Sequence, residues 1–334
     1  MKVNQMSELV SVIIPTFNRN DIRRALVSVL KQTYKNIEII IIDDNNPMTT
    51  FRKSIEKAME KYKDDPRIKY LKHERNKNGS AARNTGLKAS TGQYIAFLDD
   101  DDYFLPNRIE KLVEEIKKSN DYDAAYSDTI FMRYKEVIDI GRALLTGSYE
   151  KELLLGKFQI FTGSNLFFTR RAIMDIQGFD ESFSWHQDFE TLIRFFQKYK
   201  ILAINEPLVV KNTDDRGNIP SSEKLYEIKH SYFEKFARII NLMNDVEKKV
   251  FYKNHYINLL RNCIFNSDNA VLKKVKAEMN GVVELDYRDR ILLFLERVNK
   301  HVDILKVKYA YQKFKYKKRI SADDLKLIEF FENM

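Results

Sequence analysis

Tyr94-Ile-Ala-Phe-Leu-Asp-Asp-Asp-Asp102 joins a short apolar run to four consecutive carboxylates. Such a run suits a strand buried on both faces, as in a parallel sheet covered by helices. Four adjacent aspartates at its end are costly, because like charges repel and burial adds a desolvation penalty. A hard divalent cation, sharing carboxylate oxygens with a diphosphate, would relieve that cost. Side chains two apart converge in a strand-end turn, which singles out Asp99 and Asp101. The plain alternative is a solvated turn in which Asp102 caps a helix beginning near Pro106.

Upstream, strand and helix alternate. Residues 9–14 are apolar and end at Pro15; Asp21 is placed to cap a helix bearing Ile22, Ala25, Leu26, Val29 and Leu30. Residues 37–42 suit a second buried strand, stopped by Asp43-Asp44-Asn45-Asn46-Pro47. A charged helix to Lys63, a strand over 68–72 and a loop-to-helix segment over 79–89 follow. This β-α-β-α-β-α-β order predicts an α/β fold with an open, mostly parallel sheet, whose ligands bind beyond the carboxyl ends of the strands. Three polar clusters share that address: 15–19, 43–46 and 99–102. Downstream, strands are expected over 124–133, 165–169 and 201–209 and a helix over 189–198, and from Leu225 the pattern is wholly helical. Two domains are expected, 1–224 and 225–334.

Of 334 residues, 44% are hydrophobic and 31% charged, enough apolar material for a sizeable core and enough charge for solubility. The one cysteine, Cys263, excludes an intrachain disulfide and any Cys/His zinc pattern, and fits a reducing compartment. With no basic-then-apolar leader and no long apolar run, a cytoplasmic protein, or one peripheral on the inner face of the membrane, is expected. Residues 226–334 carry 22 Lys/Arg against 15 Asp/Glu, so most of the net charge of +9 lies there. Ile304, Val307, Tyr311 and Phe314 form a helical stripe among Lys306, Lys308, Lys313, Lys315, Lys317, Lys318 and Arg319. Packing or homo-oligomer formation and contact with an anionic membrane both fit that stripe. Nucleic acid fits less well, since no RNA-binding motif accompanies it.

Three further segments could carry chemistry. In Asn78-Gly-Ser-Ala-Ala-Arg-Asn84, the small residues let a ligand approach a helix N-terminus, and Arg83 adds a charged donor; a capped helix with a surface arginine is the simpler reading. Asp43-Asp44 reads as a turn, or as a carboxylate accepting the imide N–H of uracil. In Trp185-His-Gln-Asp-Phe-Glu190, Asp188 opens a helix with Leu192, Ile193, Phe195 and Phe196 on its apolar side. It is either an acid stabilised by the helix dipole or a general base, with His186 as rival base.

Together these stretches resemble glycosyltransferase family 2, which has the GT-A fold. The resemblance rests on Val10-Ser-Val-Ile-Ile-Pro-Thr-Phe-Asn-Arg19, Ser28-Val-Leu-Lys-Gln-Thr-Tyr34, Ile39-Ile-Ile-Ile-Asp-Asp44, Ala81-Ala-Arg-Asn-Thr-Gly86, the 94–102 stretch and Gly178-Phe-Asp-Glu181, in the family's order and spacing. It covers about residues 8–210. It implies a Rossmann-like, mostly parallel sheet with flanking helices, followed here by an all-helical region outside the resemblance. It also implies an inverting transfer of a single sugar from a UDP-sugar to an acceptor hydroxyl, on a glycan or lipid-linked glycan, in bacterial surface-polysaccharide synthesis. On this likeness Pro15 and Thr16 line the nucleotide pocket beside Asn18 and Arg19. Asp44 binds uracil, Arg83 and Asn84 bind the nucleotide, and Gly79 gives room. Asp99 and Asp101 hold Mn2+ or Mg2+, Asp100 meets the ribose or sugar, and Asp188 is the base.

Three departures stand out. Gln187 replaces the family's glutamate beside the base. The loop over 212–222 lacks the histidine that many relatives use as a metal or phosphate ligand, leaving Arg216 as a substitute. The Gln-x-x-Arg-Trp element of processive synthases is absent, which favours one sugar per encounter. Two rival classes remain: a nucleotidyltransferase, disfavoured because Pro15-Thr16-Phe17 follows the first strand in place of a glycine-rich basic loop, and a cation-binding adaptor with no activity.

Overall fold

The structure, a computed structural model, describes residues 8–119, 121–213, 220–287, 289–291, 293, 294, 326, 328 and 329. Among the described residues nine strands form one sheet. In chain order they are β1 (Val10–Thr16), β2 (Ile37–Asp43), β3 (Ile68–Lys72), β4 (Tyr94–Phe97), β5 (Tyr103–Phe104), β6 (Ala124–Arg133), β7 (Glu136–Gly141), β8 (Phe167–Thr169) and β9 (Ile201–Asn212). They lie side by side as β3-β2-β1-β4-β8-β6-β9-β5, with β7 on β6. β1 to β4 are parallel, and so are β6 and β9. β8 is antiparallel to both β4 and β6 and splices the two parallel blocks. This is the mostly parallel α/β sheet the sequence predicts. β2 and β4 are buried along their whole length; β4 is wholly apolar apart from the Tyr94 hydroxyl, and in β2 the buried Glu38 is met by Ser11 Oγ at 2.6 Å and Lys69 Nζ at 2.8 Å.

Among the described residues six helices accompany this sheet: α1 (Arg23–Leu30), α2 (Thr50–Glu60), α3 (Gly79–Ala89), α4 (Arg108–Lys118), α6 (Arg170–Asp175) and α7 (Gln187–Phe196); α5 (Glu150–Leu154) falls in the helical unit described below. Val10, Val12 and Ile14 of β1 share a core with Leu26 and Val29 of α1, Ile55 and Met59 of α2, and Leu112 and Ile116 of α4. Ile13 points the other way, onto α3. There a Cβ on Gly86 would lie 2.4 Å from Ile13 Cγ2. Only glycine lets the helix sit this close to the sheet, and that approach carries the start of α3 to the carboxyl ends of β1 and β4.

Several expectations are corrected. β5 and β7 were not foreseen; β5 is two residues long, and β7 is a partly exposed strand on β6. Asp21 does not cap α1, since Ile22 stands at the cap position; its carboxylate accepts instead from the Arg23 N–H at 2.8 Å. Asp102 does not cap α4, which begins at Arg108 behind Asn107 without a side-chain cap. Burial explains this, because Asp102 is 1% exposed and finds its donors inside the domain.

The chain divides into two compact units, one of Met1–Ser148, Ile160–Asp214 and Lys313–Met334, the other of Tyr149–Gln159 and Asp215–Gln312. The second contains α5 and the helices α8 (Ser222–Lys235), α9 (Ala237–Asn241), α10 (Asp245–Asn266) and α11 (Asn269–Met279). Ser221 caps α8, Asn244 and Glu247 form a reciprocal capping box on α10, and Asp268 caps α11. Within this unit Lys229 is buried with its Nζ 2.9 Å from His255 Nδ1, and burial pulls the lysine down to about 7. Arg216 and the basic stripe over 304–314 lie outside the described residues.

Candidate active site

The carboxyl ends of β1, β2 and β4 bring the three polar clusters together within the first unit. Pro15 and Thr16 close β1, in register with Ile42 and Asp43 of β2. Asn18 follows with φ 54°, and its N–H donates to Asn45 Oδ1 at 2.8 Å, tying the turn after β1 to the turn after β2. Arg19 reaches the turn after β4: its Nη2 lies 2.5 Å from Asp101 Oδ2 and its Nε 3.3 Å from Asp100 Oδ1.

The four aspartates face different partners. Asp99 pairs with Arg83 Nη2 at 2.5 Å, and its own N–H donates to Ser164 Oγ at 2.9 Å. Asp101 pairs with Arg19, while Arg24 donates to its carbonyl at 2.8 Å. Asp102 points inward and accepts from Thr162 Oγ1 at 2.8 Å, Ser164 Oγ at 2.7 Å and the Asn212 N–H at 3.1 Å. The turn Gly163–Asn165 that supplies Ser164 is held from behind by Arg108. This fully buried guanidinium donates to Ser127 Oγ at 2.8 Å, Asn165 Oδ1 at 3.2 Å and the Ser164 carbonyl at 3.3 Å.

Burial and mutual repulsion raise Asp100, Asp101 and Asp102. Burial, then the charge of Asp101, pushes Asp100 up to about 7 against the pull of Arg19. Burial, then Asp101 and Asp99, pushes Asp102 up to about 8. Asp101 is raised by burial and by Asp99. The turn is therefore short of positive charge, and a divalent cation suits it. Among the described residues no group of three or more His, Cys, Asp or Glu is set to enclose a metal ion. Asp99 and Asp101 would supply two carboxylates at most, leaving the other positions to phosphate oxygens and water, an arrangement suited to an ion carried with a diphosphate.

Arg83 links this turn to the second acidic segment. Its Nη1 donates to Gln187 Oε1 at 2.7 Å while its Nη2 holds Asp99. Gly79 makes the room, since a Cβ there would meet Arg83 Nη1 at 3.0 Å and Gln187 Oε1 at 3.2 Å. Asp188, beside Gln187 in the first turn of α7, is raised chiefly by burial; Arg83 and Lys211 pull it down and Asp99 pushes it up. A carboxylate raised in this way is a better proton acceptor at neutral pH.

Two expected ligands already have protein partners. Asp44 is 2% exposed and accepts from His73 Nδ1 at 2.7 Å, Asn76 Nδ2 at 2.7 Å, the Lys77 N–H at 2.9 Å and the Asn78 N–H at 3.1 Å. Asn84 donates to the Phe179 carbonyl at 2.8 Å and to Glu181 Oε1 at 2.9 Å, and accepts from the Phe179 N–H at 2.9 Å. These two side chains build the loops that frame the site. Sequence reading missed Thr162, Ser164, Arg108 and Lys211. The Thr-Gly-Ser-Asn run at 162–165 was a visible turn signal, whereas one lysine at the end of an apolar strand gave none.

Comparison with known proteins decides the family. The family described as Glycosyl transferase family 2 matches residues 11–177. The chain belongs to glycosyltransferase family 2. It is 41% identical over 113 residues to the Escherichia coli UDP-Glc:alpha-D-GlcNAc-diphosphoundecaprenol beta-1,3-glucosyltransferase WfgD, covering 34% of this chain and 42% of that one. It is 28% identical over 253 residues to the Campylobacter jejuni GalNAc(5)-diNAcBac-PP-undecaprenol beta-1,3-glucosyltransferase, covering 73% and 77%. Three of the curated relatives are spanned over only 19%, 42% and 65% of their own length. The fold of this family 2 chain is shared with residues 1–349 of S. aureus TarS, crystallised with UDP-GlcNAc, at a TM-score of 0.58 and 17% identity over 93% of this chain and 92% of that one.

Proposed function

We propose that this protein transfers one sugar from a UDP-sugar to a hydroxyl of a lipid-linked glycan, with inversion at the anomeric carbon, in bacterial cell-surface polysaccharide synthesis. One observation carries the reading: a single guanidinium, Arg83, bridges the acidic turn and the helix that bears Asp188. A leaving group held at the turn and a base on α7 therefore share one site. The acceptor class is supported by the two relatives named above, both of which act on diphosphoundecaprenol-linked glycans.

In this mechanism Asp188 takes the proton of the acceptor hydroxyl as that oxygen attacks C1. The bond from C1 to the diphosphate oxygen breaks on the opposite side, and UDP leaves with the electron pair. Arg83 and Arg19 orient the diphosphate and offset its charge. Mn2+ or Mg2+, held by Asp99 and Asp101, would supply positive charge to the leaving diphosphate. No helix among the described residues is long and apolar enough to cross a membrane. Access to a lipid-linked acceptor would then come by peripheral contact, which the basic C-terminal residues suit.

The test is incubation with Mn2+, a panel of UDP-sugars and a polyprenyl-diphosphate glycan, followed by release of nucleotide. Free UDP together with an acceptor one sugar longer is expected. Pyrophosphate release would point to nucleotidyl transfer, and release of nothing across the panel would leave a binding protein; either sinks the proposal.

A further inference from the structure

Lys211 sits near the end of β9, one residue before the Asn212 N–H that donates to Asp102 at 3.1 Å. Thr162, which follows Phe161 in the chain, donates to the same Asp102 at 2.8 Å, and the charge of Lys211 favours the ionised forms of Asp101, Asp102 and Asp188. Yet its hydrogen bond goes to the Phe161 carbonyl, at 3.0 Å. Among the described residues no carboxylate oxygen lies within ion-pair distance of it. An ammonium has three donors, and this one spends a single donor on a neutral acceptor.

The carbonyl that holds it is unusually placed. Phe161 has φ 71°, a region bulky residues seldom adopt and which persists only where the surroundings impose it. Its ring lies over Gly141, where a Cβ would meet it at 2.7 Å, and packs edge-on against Phe131 with 6.0 Å between centroids. Two residues on, Gly163 presents a nearly bare wall to the site: a Cβ there would be 3.7 Å from Arg83 Nη2 and 3.8 Å from Asp99 Oδ2. The segment from Phe161 to Gly163 thus separates two cations, Lys211 and Arg83, that address the same turn.

We propose that Lys211 is a diphosphate-binding residue of the donor site, meeting the leaving group from the β9 side while Phe161 holds it in position. The inference rests on the donor reading given above.

Titrating UDP and, separately, uridine against the wild type and Lys211→Met in Mn2+ tests it. UDP should bind about 10- to 100-fold more weakly to the variant, as for loss of a charged hydrogen bond, while uridine binds as before. Lys211→Arg should keep most of the UDP affinity, and it supplies the answer if the methionine variant does not fold. Equal losses for both ligands, or no loss of UDP affinity, would show that the lysine merely offsets the acids and would overturn the assignment. Wild-type protein that binds neither ligand would remove the donor reading itself. Wild-type protein that binds UDP no better than the methionine variant removes only Lys211.

Discussion

Two acidic turns stand at the ends of β2 and β4, on either side of β1, and their surroundings are opposite. After β2, Asp43 accepts from Tyr70 Oη at 2.5 Å and Asn45 Nδ2 at 2.8 Å and is ion-paired with Arg52, whose Nε lies 3.0 Å away, and Asp44 has four donors of its own. After β4, burial and repulsion raise Asp100, Asp101 and Asp102 even with Arg19 beside them. Identical side chains at equivalent positions in the sheet thus do different work. The first pair is surrounded by protein donors, whereas the second cluster keeps raised carboxylates that suit the ligand proposed above.

That contrast can be broken by substitution. Asp101→Asn should show the largest effect, a loss of UDP-sugar turnover of about 1000-fold with folding intact, as expected when the charge that holds a catalytic ion is removed. Turnover with unchanged Mn2+ dependence would take Asp101 out of the ion site. Next, Asp188→Asn should cut kcat by about 100-fold or more while UDP affinity changes little, the split expected for loss of a general base. A normal kcat would pass that role to another group, with His186 the first to test.

On the other side of the comparison, Asp44→Asn should act mainly on stability. It turns an acceptor of four donors into an amide that has donors of its own, at a cost of about 2–3 kcal/mol read from urea unfolding. If stability holds and only UDP binding falls, Asp44 belongs with the ligand residues instead.

The smallest effect is in pH. Acids raised in the folded state bind protons that the unfolded chain has released, so stability should fall as pH rises from about 4 through about 8. Adding Mn2+ should reverse most of that fall, with the largest rise in Tm at the alkaline end, where the carboxylates are ionised and free to bind. A metal-independent Tm across this range would mean that the turn needs no cation.

Much of this was legible beforehand, for a local reason. Buried parallel strands are apolar along most of their length, so 37–42 and 94–98 announced themselves, and the acids that follow them fell at the sheet's carboxyl end by construction. Gly79, Arg83 and Gln187 lie in short motifs, and the structure does join them. What the string did not reveal were partners far apart along it. Asp102 looked like a helix cap because Pro106 is near; it is claimed by Thr162, Ser164 and Asn212, which only the fold brings within reach. The assignment of Tyr149–Gln159 to the helical unit is of the same kind.

The sequence by itself thus determined the parallel α/β core, the strand-end address of the acids and the family, all matters of periodicity and short-range spacing. The tertiary structure alone decided which aspartates are neutralised and which are not. Charge balance depends on distances of a few ångströms between residues many positions apart, and those distances exist only once the chain is folded.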